Sequence, residues 1–261
     1  MHVENSRLKD LALVLLEIGA QLMSSGASTA RVRLTLNRIS DRFGCRSEVI
    51  ITNRALMLTI HTDDNSQSFS SGKRISLHGI NFRMVSGISR MSWRALEEAW
   101  DLDKIRAEVE RLKSLPNYPR WLVLTMVGLA GAAFCRLFGG HAIEMMISFL
   151  ATVAGLFVRQ ETLRKNFNPY LCVFFASATA SLLAGAAVRF GLGISPELAF
   201  TASVLFLVPG VPLITSVSDL LDGNMLNGLS RGVNAFLISF AIALGLLTAM
   251  IIYSIHVWNG F

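Results

Sequence analysis

Apolar and polar positions follow two different rules along this chain, and the change falls near residue 116. Before it, apolar residues are interleaved with polar ones. Leu8, Leu11, Leu15, Ile18 and Leu22 recur at spacings of three and four, which predicts an amphipathic helix over 6–24. Gly26 suits the end of that helix. Ser28 or Thr29 can cap a second helix carrying Val32, Leu36, Ile39 and Phe43 and stopped by Gly44. Two β-rich runs follow at 48–52 and 55–62, joined by a tight turn at Asn53 and Arg54. A polar turn is expected at 63–66 and a third strand at 80–85. Ser89 or Ser92 then opens a helical region reaching Leu115, with Glu97 and Glu98 early and Arg111 and Lys113 late, the order that the helix dipole favours.

Beyond Pro116 and Pro119 the pattern is nearly all apolar, in five stretches at 121–138, 142–158, 170–190, 198–221 and 232–258. A membrane crossing needs about 17–25 such residues, so each stretch is long enough. Small residues (Gly128, Gly131, Ala132 and Ala133; Ala176, Ala180, Ala184 and Gly185) give two of them faces for close helix packing. The expected fold is therefore an α-helical polytopic membrane protein with about five transmembrane helices. The expected division is residues 1–116 as an N-terminal α+β cytoplasmic domain and 117–261 as the transmembrane domain.

Charge sharpens that division. Of the 24 Lys/Arg and 18 Asp/Glu, 18 and 13 respectively precede Trp121, which implies water around the first part and lipid around the second. Arg7 and Lys9 before Leu11–Leu16 imitate a secretory leader, but Glu17 ends the apolar run too early, and no cleaved leader is expected. Arg159, Arg164 and Lys165 follow the second stretch and Arg231 begins the fifth, whereas the opposite loops offer Arg136 and Arg189. The expected topology is a cytoplasmic N-terminus and an external C-terminus. The formal net charge of +6 fits a domain beside an anionic bilayer. Basic residues alternate with acidic ones and lack interleaved aromatics, so no nucleic-acid partner is expected. Cys45, Cys135 and Cys172 are isolated, and His61 and His78 have no partner at metal spacing, so neither disulfide nor metal site is expected.

The candidate chemistry is concentrated in the fourth apolar stretch. Pro209 and Pro212 flank Gly210 and Val211 in mid-stretch, which should break the helix and free backbone groups. Such breaks in lipid occur where protein or a watery cavity satisfies them, and transporters use them at binding sites. A simple packing kink is the alternative. Thr215, Ser216, Ser218 and Asp219 follow at helical spacing. Asp219 lies about 15 Å beyond Pro209 along a helix, a depth at which an acid faces a cavity or a partner, here Arg231. Asp222 reads as loop, and Asn234 lies one turn beyond Arg231. Glu144 is a further candidate, either on the path or paired with Arg136. In the first domain, Gly26, Thr29 and Arg31 sit at a glycine-to-helix junction whose free amides could hold an anion, or which is a plain helical hairpin. No GxSxG, HExxH or phosphate-binding loop is present, so neither an enzyme nor a cofactor is expected.

The Leu-x-Ser-x-Gly-Ala-x-Thr-x-Arg-Val run from Leu22 to Val32 and the Leu-Val-Pro-Gly-Val-Pro…Asp-Leu-Leu-Asp-Gly stretch resemble the threonine/serine exporter family, and specifically its short YjjP-like subunits. The chain departs from the family pattern at Ala30, where an aromatic is usual, and at Arg33, where an acid is usual. The resemblance implies a bacterial inner-membrane secondary exporter of threonine and serine, or of a C4 dicarboxylate such as succinate. It also implies a second small membrane subunit, YjjB-like and of about five helices, in a higher homo- or hetero-oligomer. Carried onto this chain, Pro209, Gly210, Pro212, Asp219 and Asp222 would line or hinge the path. The rival expectation is a membrane-anchored sensor or regulator that works through its N-terminal domain.

Overall fold

The computed structural model describes residues 2–63, 67–75, 79–116 and 118–255. Two compact units are formed, one from Met1–Pro116 with Gly210–Val233, the other from Asn117–Pro209 with Asn234–Phe261.

In the first unit, helices α1 (His2–Ser24) and α2 (Thr29–Arg42) pack on an antiparallel sheet of β1 (Cys45–Ile51), β2 (Ala55–Thr62) and β3 (Ser68–Arg74), in that order. Helices α3 (Phe82–Glu97) and α4 (Leu102–Ser114) complete the N-terminal part. Strand alternation makes the core: Leu56, Leu58 and Ile60 of β2 point inward against Leu15, Ile18 and Leu22 of α1 and Leu36 and Ile39 of α2. Ser28 caps α2 by accepting from the Arg31 N–H, and Gly44, at φ +63°, ends it.

The third strand is not at 80–85 as expected but at Ser68–Arg74, pairing Phe69 with Ile60. The run Ser-Phe-Ser-Ser-Gly-Lys-Arg looks like loop because one of its faces is polar; only Phe69 marks the inward side. Residues 80–85 instead lead into α3. Asn81 accepts from the Met84 N–H, and Met84, Val85, Ile88 and Met91 then form a buried stripe at helical spacing. The helical region expected from Ser89 or Ser92 to Leu115 is also two helices: Ala99 takes φ +53°, and Asp101 caps α4 through the Lys104 N–H. Ser92 is buried within α3, where its hydroxyl donates to the Ser89 carbonyl. Residues 64–66 of the expected polar turn, and His78, lie outside the described residues.

The second unit contains α5 (Arg120–Leu137), α6 (Ala142–Arg164), α7 (Pro169–Phe190) and the short α8 (Pro196–Ala202). It also takes the greater part of α10 (Met225–Tyr253), whose first turns belong to the first unit along with α9 (Gly210–Leu221). Among the described residues, four helices are long and apolar enough to cross a membrane, or five if the bent run from α8 to α9 counts as one crossing. On α6, Glu144, Ser148 and Thr152 are buried while Ile143, Met146, Leu150 and Phe157 are exposed. An outward apolar face over an inward polar one is what hydrocarbon solvent selects.

Small residues let these helices approach. A Cβ at Gly155 would lie 2.8 Å from the Ala176 carbonyl oxygen, and one at Gly245 would lie 2.7 Å from the Ala178 nitrogen. Hydroxyls then bond across the contacts, Ser148 to the Gly131 carbonyl (3.1 Å) and Ser177 to the Ile242 carbonyl (2.8 Å).

Candidate functional site

The fourth apolar stretch is interrupted where its prolines predict. After α8 comes a 3-10 turn at Leu205–Leu207, then Val208 in an extended conformation (φ −56°, ψ 125°), Pro209, and a new helix from Gly210. Pro212 sits in the first turn of α9, where a missing N–H costs no intrahelical bond. The break therefore falls at Val208 and Pro209, while Pro212 starts the next segment.

Helix α9 is amphipathic in the inverted sense. Its buried residues are Ser216 and Asp219, at a spacing of three, while Leu213, Ile214, Val217, Leu220 and Leu221 are exposed. Gly223, at φ +77°, turns the chain into α10. The Ser216 hydroxyl donates to the Gly228 carbonyl (2.7 Å), and a Cβ at Gly228 would lie 2.9 Å from the Ser216 carbonyl oxygen. Glycine is thus required for α9 and α10 to lie this close.

Asp219 is fully buried. Its Oδ1 accepts the main-chain N–H of Thr29, at the N-terminus of α2, at 2.9 Å. Its Oδ2 lies 3.4 Å from Nη1 of Arg231, within ion-pair range but not aligned as a hydrogen bond. Arg231 also donates through Nη2 to the Ala27 carbonyl (2.8 Å). Asn227, 5% exposed, donates to the Thr29 hydroxyl (3.2 Å) and the Ile51 carbonyl (2.9 Å). At the rim, Asn53 donates to Ser230 (2.9 Å) and Arg33 to the Asn224 side-chain oxygen (3.3 Å). The two motif segments chosen from the sequence thus meet in one network. Of the amides expected to hold an anion, that of Thr29 holds the carboxylate of Asp219.

The other selected residues have separate places. Gly26, at φ +89°, makes the turn between α1 and α2, and Arg31 is exposed on α2. Asp222 is exposed in the turn after α9. Asn234, in the second unit, accepts from the Tyr170 hydroxyl (2.9 Å). Glu144 has no pair with Arg136, which donates instead to the Gly140 carbonyl. Glu144 accepts from three main-chain N–H groups, those of His141 (3.0 Å), Ile194 (2.5 Å) and Ser195 (2.9 Å), and so ties the start of α6 to the loop before α8. Asn227 is not among the candidates taken from the sequence: it is one of three asparagines within residues 224–234, with Asn224 and Asn234, and nothing in its spacing sets it apart. A cleft of about 950 Å³ in the first unit, lined by Arg7, Asp10, Asp63, Asp101 and Asp103 among others, includes none of the selected residues.

These contacts join the two segments that carry the family resemblance. The family described as "putative threonine/serine exporter" matches residues 13–253. The chain belongs to that family. Among its relatives, "Probable succinate transporter subunit YjjP" of Escherichia coli K12 is 30% identical over 93% of this chain and 94% of its own length. The protein of the same name from Klebsiella aerogenes is 28% identical over 99% of this chain and 100% of its own length. A "Probable threonine/serine exporter" of Mycobacterium tuberculosis is 23% identical over 94% of this chain but only 46% of its own length, so the chain spans about half of that relative. No solved structure matches. The relatives are transporters, and membership of an exporter family accords with the outward apolar helices: this is a membrane transport protein.

Proposed function

We propose that this chain is one subunit of a secondary exporter for small carboxylate-bearing metabolites in the bacterial cytoplasmic membrane. A second small membrane subunit completes the transporter. The carrying observation is how the chain aligns: end to end with relatives named as transporter subunits, but with about half of a longer threonine/serine exporter. A half-length partner of similar membrane character fits that pattern. Succinate and threonine or serine are the leading cargoes, taken from the names of those relatives. An ion gradient supplies the energy in this reading.

The broken stretch at Pro209 and Gly210 forms the moving part, with Pro212 and Ser216 behind it. Asp219 and Arg231 are its charged contacts. The full burial of Asp219 and the 12% exposure of the Arg231 side chain, beside an interrupted apolar stretch, support that role, because ionisable groups at such positions are costly unless used. Asp222 and Asn234 are accessory in this reading, Glu144 is a structural tie off the path, and Gly26, Thr29 and Arg31 belong to the junction that receives Asp219. The N-terminus is cytoplasmic and the C-terminus external. The test uses proteoliposomes holding both subunits and loaded with labelled succinate or threonine. Counterflow of either cargo is expected, and its loss with Asp219→Asn. If neither cargo moves, the exporter reading fails.

A further inference from the structure

The surroundings of Asp219 resemble a receptor for a carboxylate more than a simple ion pair. The first turn of α2 presents a main-chain N–H, Arg231 adds a positive charge, and Asn227 closes one side. A helix N-terminus with a guanidinium is chemistry that recognises carboxylates. Two fully buried atoms, Oδ2 of Asp219 and Nη1 of Arg231, have no hydrogen-bond partner. An arginine that binds a carboxylate well does so through two aligned N–H···O bonds, which are absent here. The seat is occupied, but poorly filled.

The segment that carries the occupant is bounded by two interruptions of the helical backbone. Val208 and Pro209 precede α9, and Gly223 follows it in the left-handed region. Release of Asp219 from the seat would need a shift of this one short helix and the loss of its Ser216 to Gly228 contact.

We propose that this seat binds the carboxylate of the exported metabolite, and that Asp219 is a tethered stand-in which the cargo displaces. The inference rests on the exporter reading above. Both cargo classes named there, dicarboxylates and amino acids, bear a carboxylate, so one seat serves either. Two ionised carboxylates disfavour each other there, because a single guanidinium does not compensate both charges. Cargo entry therefore expels Asp219 and breaks the tie between α2 and α9. That exclusivity couples binding to movement, and it lowers the apparent affinity of the native chain by the fraction of time the seat is vacant.

The experiment is calorimetric titration of the full chain in lipid nanodiscs with succinate, threonine, acetate and, as a neutral control, succinamide. Asp219→Asn is expected to bind succinate or threonine about tenfold tighter than the native chain, because the competitor has lost its charge. Arg231→Gln should abolish that binding, and succinamide should stay silent. Tightening for succinate alone identifies a dicarboxylate cargo, and for threonine alone an amino acid. Unchanged or weaker binding in Asp219→Asn overturns the proposal. So does a variant that takes up acetate but neither larger molecule, which would mark the seat as a structural hole. If Asp219→Asn is not monodisperse, Asp219→Glu, a poorly fitting competitor, should tighten binding to a smaller degree, and its failure to do so overturns the proposal equally. Export by the native protein without tightening in Asp219→Asn refutes the seat alone, whereas tightening in Asp219→Asn with no export by the native protein refutes the exporter reading.

Discussion

The main-chain nitrogen of Thr29 lies 2.9 Å from Oδ1 of Asp219, across a sequence separation of 190 residues. The carboxylate thus meets the positive end of a helix dipole as well as a guanidinium, and the helix gives the pair a fixed polarity. Exchanging the charges with Asp219→Arg and Arg231→Asp keeps an ion pair on paper but aims a cation at the α2 N-terminus. The exchanged protein should remain inactive and melt at least as low as Arg231→Asp alone. Recovery of both export and melting temperature in the double variant would mean that the α2 terminus contributes nothing.

Asn227 offers a test of the network that leaves its charges alone. Its amide is the donor to both the Ile51 carbonyl and the Thr29 hydroxyl. Asn227→Leu removes the donor and leaves buried acceptors unsatisfied, at a cost of about 1–3 kcal/mol. A lower melting temperature is expected, with faster proteolysis at the turn around Asn224. A melting curve superimposable on the native one would show that water replaces the amide freely.

Much of this arrangement could be read from the sequence, and the parts that could not have physical reasons. Helical spacing gave α1 and α2, because each has one buried and one exposed face, and a β-rich run gave β2. The β3 strand was missed because its solvent face is serine and glycine, leaving Phe69 as the sole inward signal. The α3 start was misread because Met84, Val85 and Ile88 satisfy strand and helix patterns alike over so short a run; Asn81 was the deciding cap. At the site, the Pro-Gly-Val-Pro break and the pairing of Asp219 with Arg231 were legible because prolines and charged residues are conspicuous among apolar ones. That Thr29 and Asp219 touch was not, since no periodicity spans such a separation. Glu144 was visible for the same reason as Asp219, but its three main-chain donors come from loop geometry that composition does not encode.

Glu144 should accordingly behave as a structural tie. A glutamine there would turn an NH₂ group toward one of the main-chain N–H groups it now accepts, leaving that group unsatisfied at a cost of about 1–3 kcal/mol. Glu144→Gln is expected to lower the melting temperature while leaving cargo affinity in nanodiscs unchanged. A selective loss of affinity with an unchanged melting temperature would return Glu144 to the transport path.

The route of the chain through α8 and α9 admits two topologies with different consequences for its last residues. If the bent run is one crossing, the described helices make five crossings and the two termini face opposite sides; if it turns back, they make four and the termini share a side. The proposed orientation puts the end of α6, with Arg159, Arg164 and Lys165, on the cytoplasmic side, and two passes earlier or later the same side recurs. Five crossings are expected, because Asp219 near the end of α9 meets α2 of the basic N-terminal residues, and α10 then leaves from that same turn. A reporter active only in the cytoplasm, fused after Phe261, should therefore be silent, while the same reporter fused ahead of Met1 should be active. Strong signal from both fusions would mean that the bent run re-enters, and the path through Pro209 would have to open on one side alone.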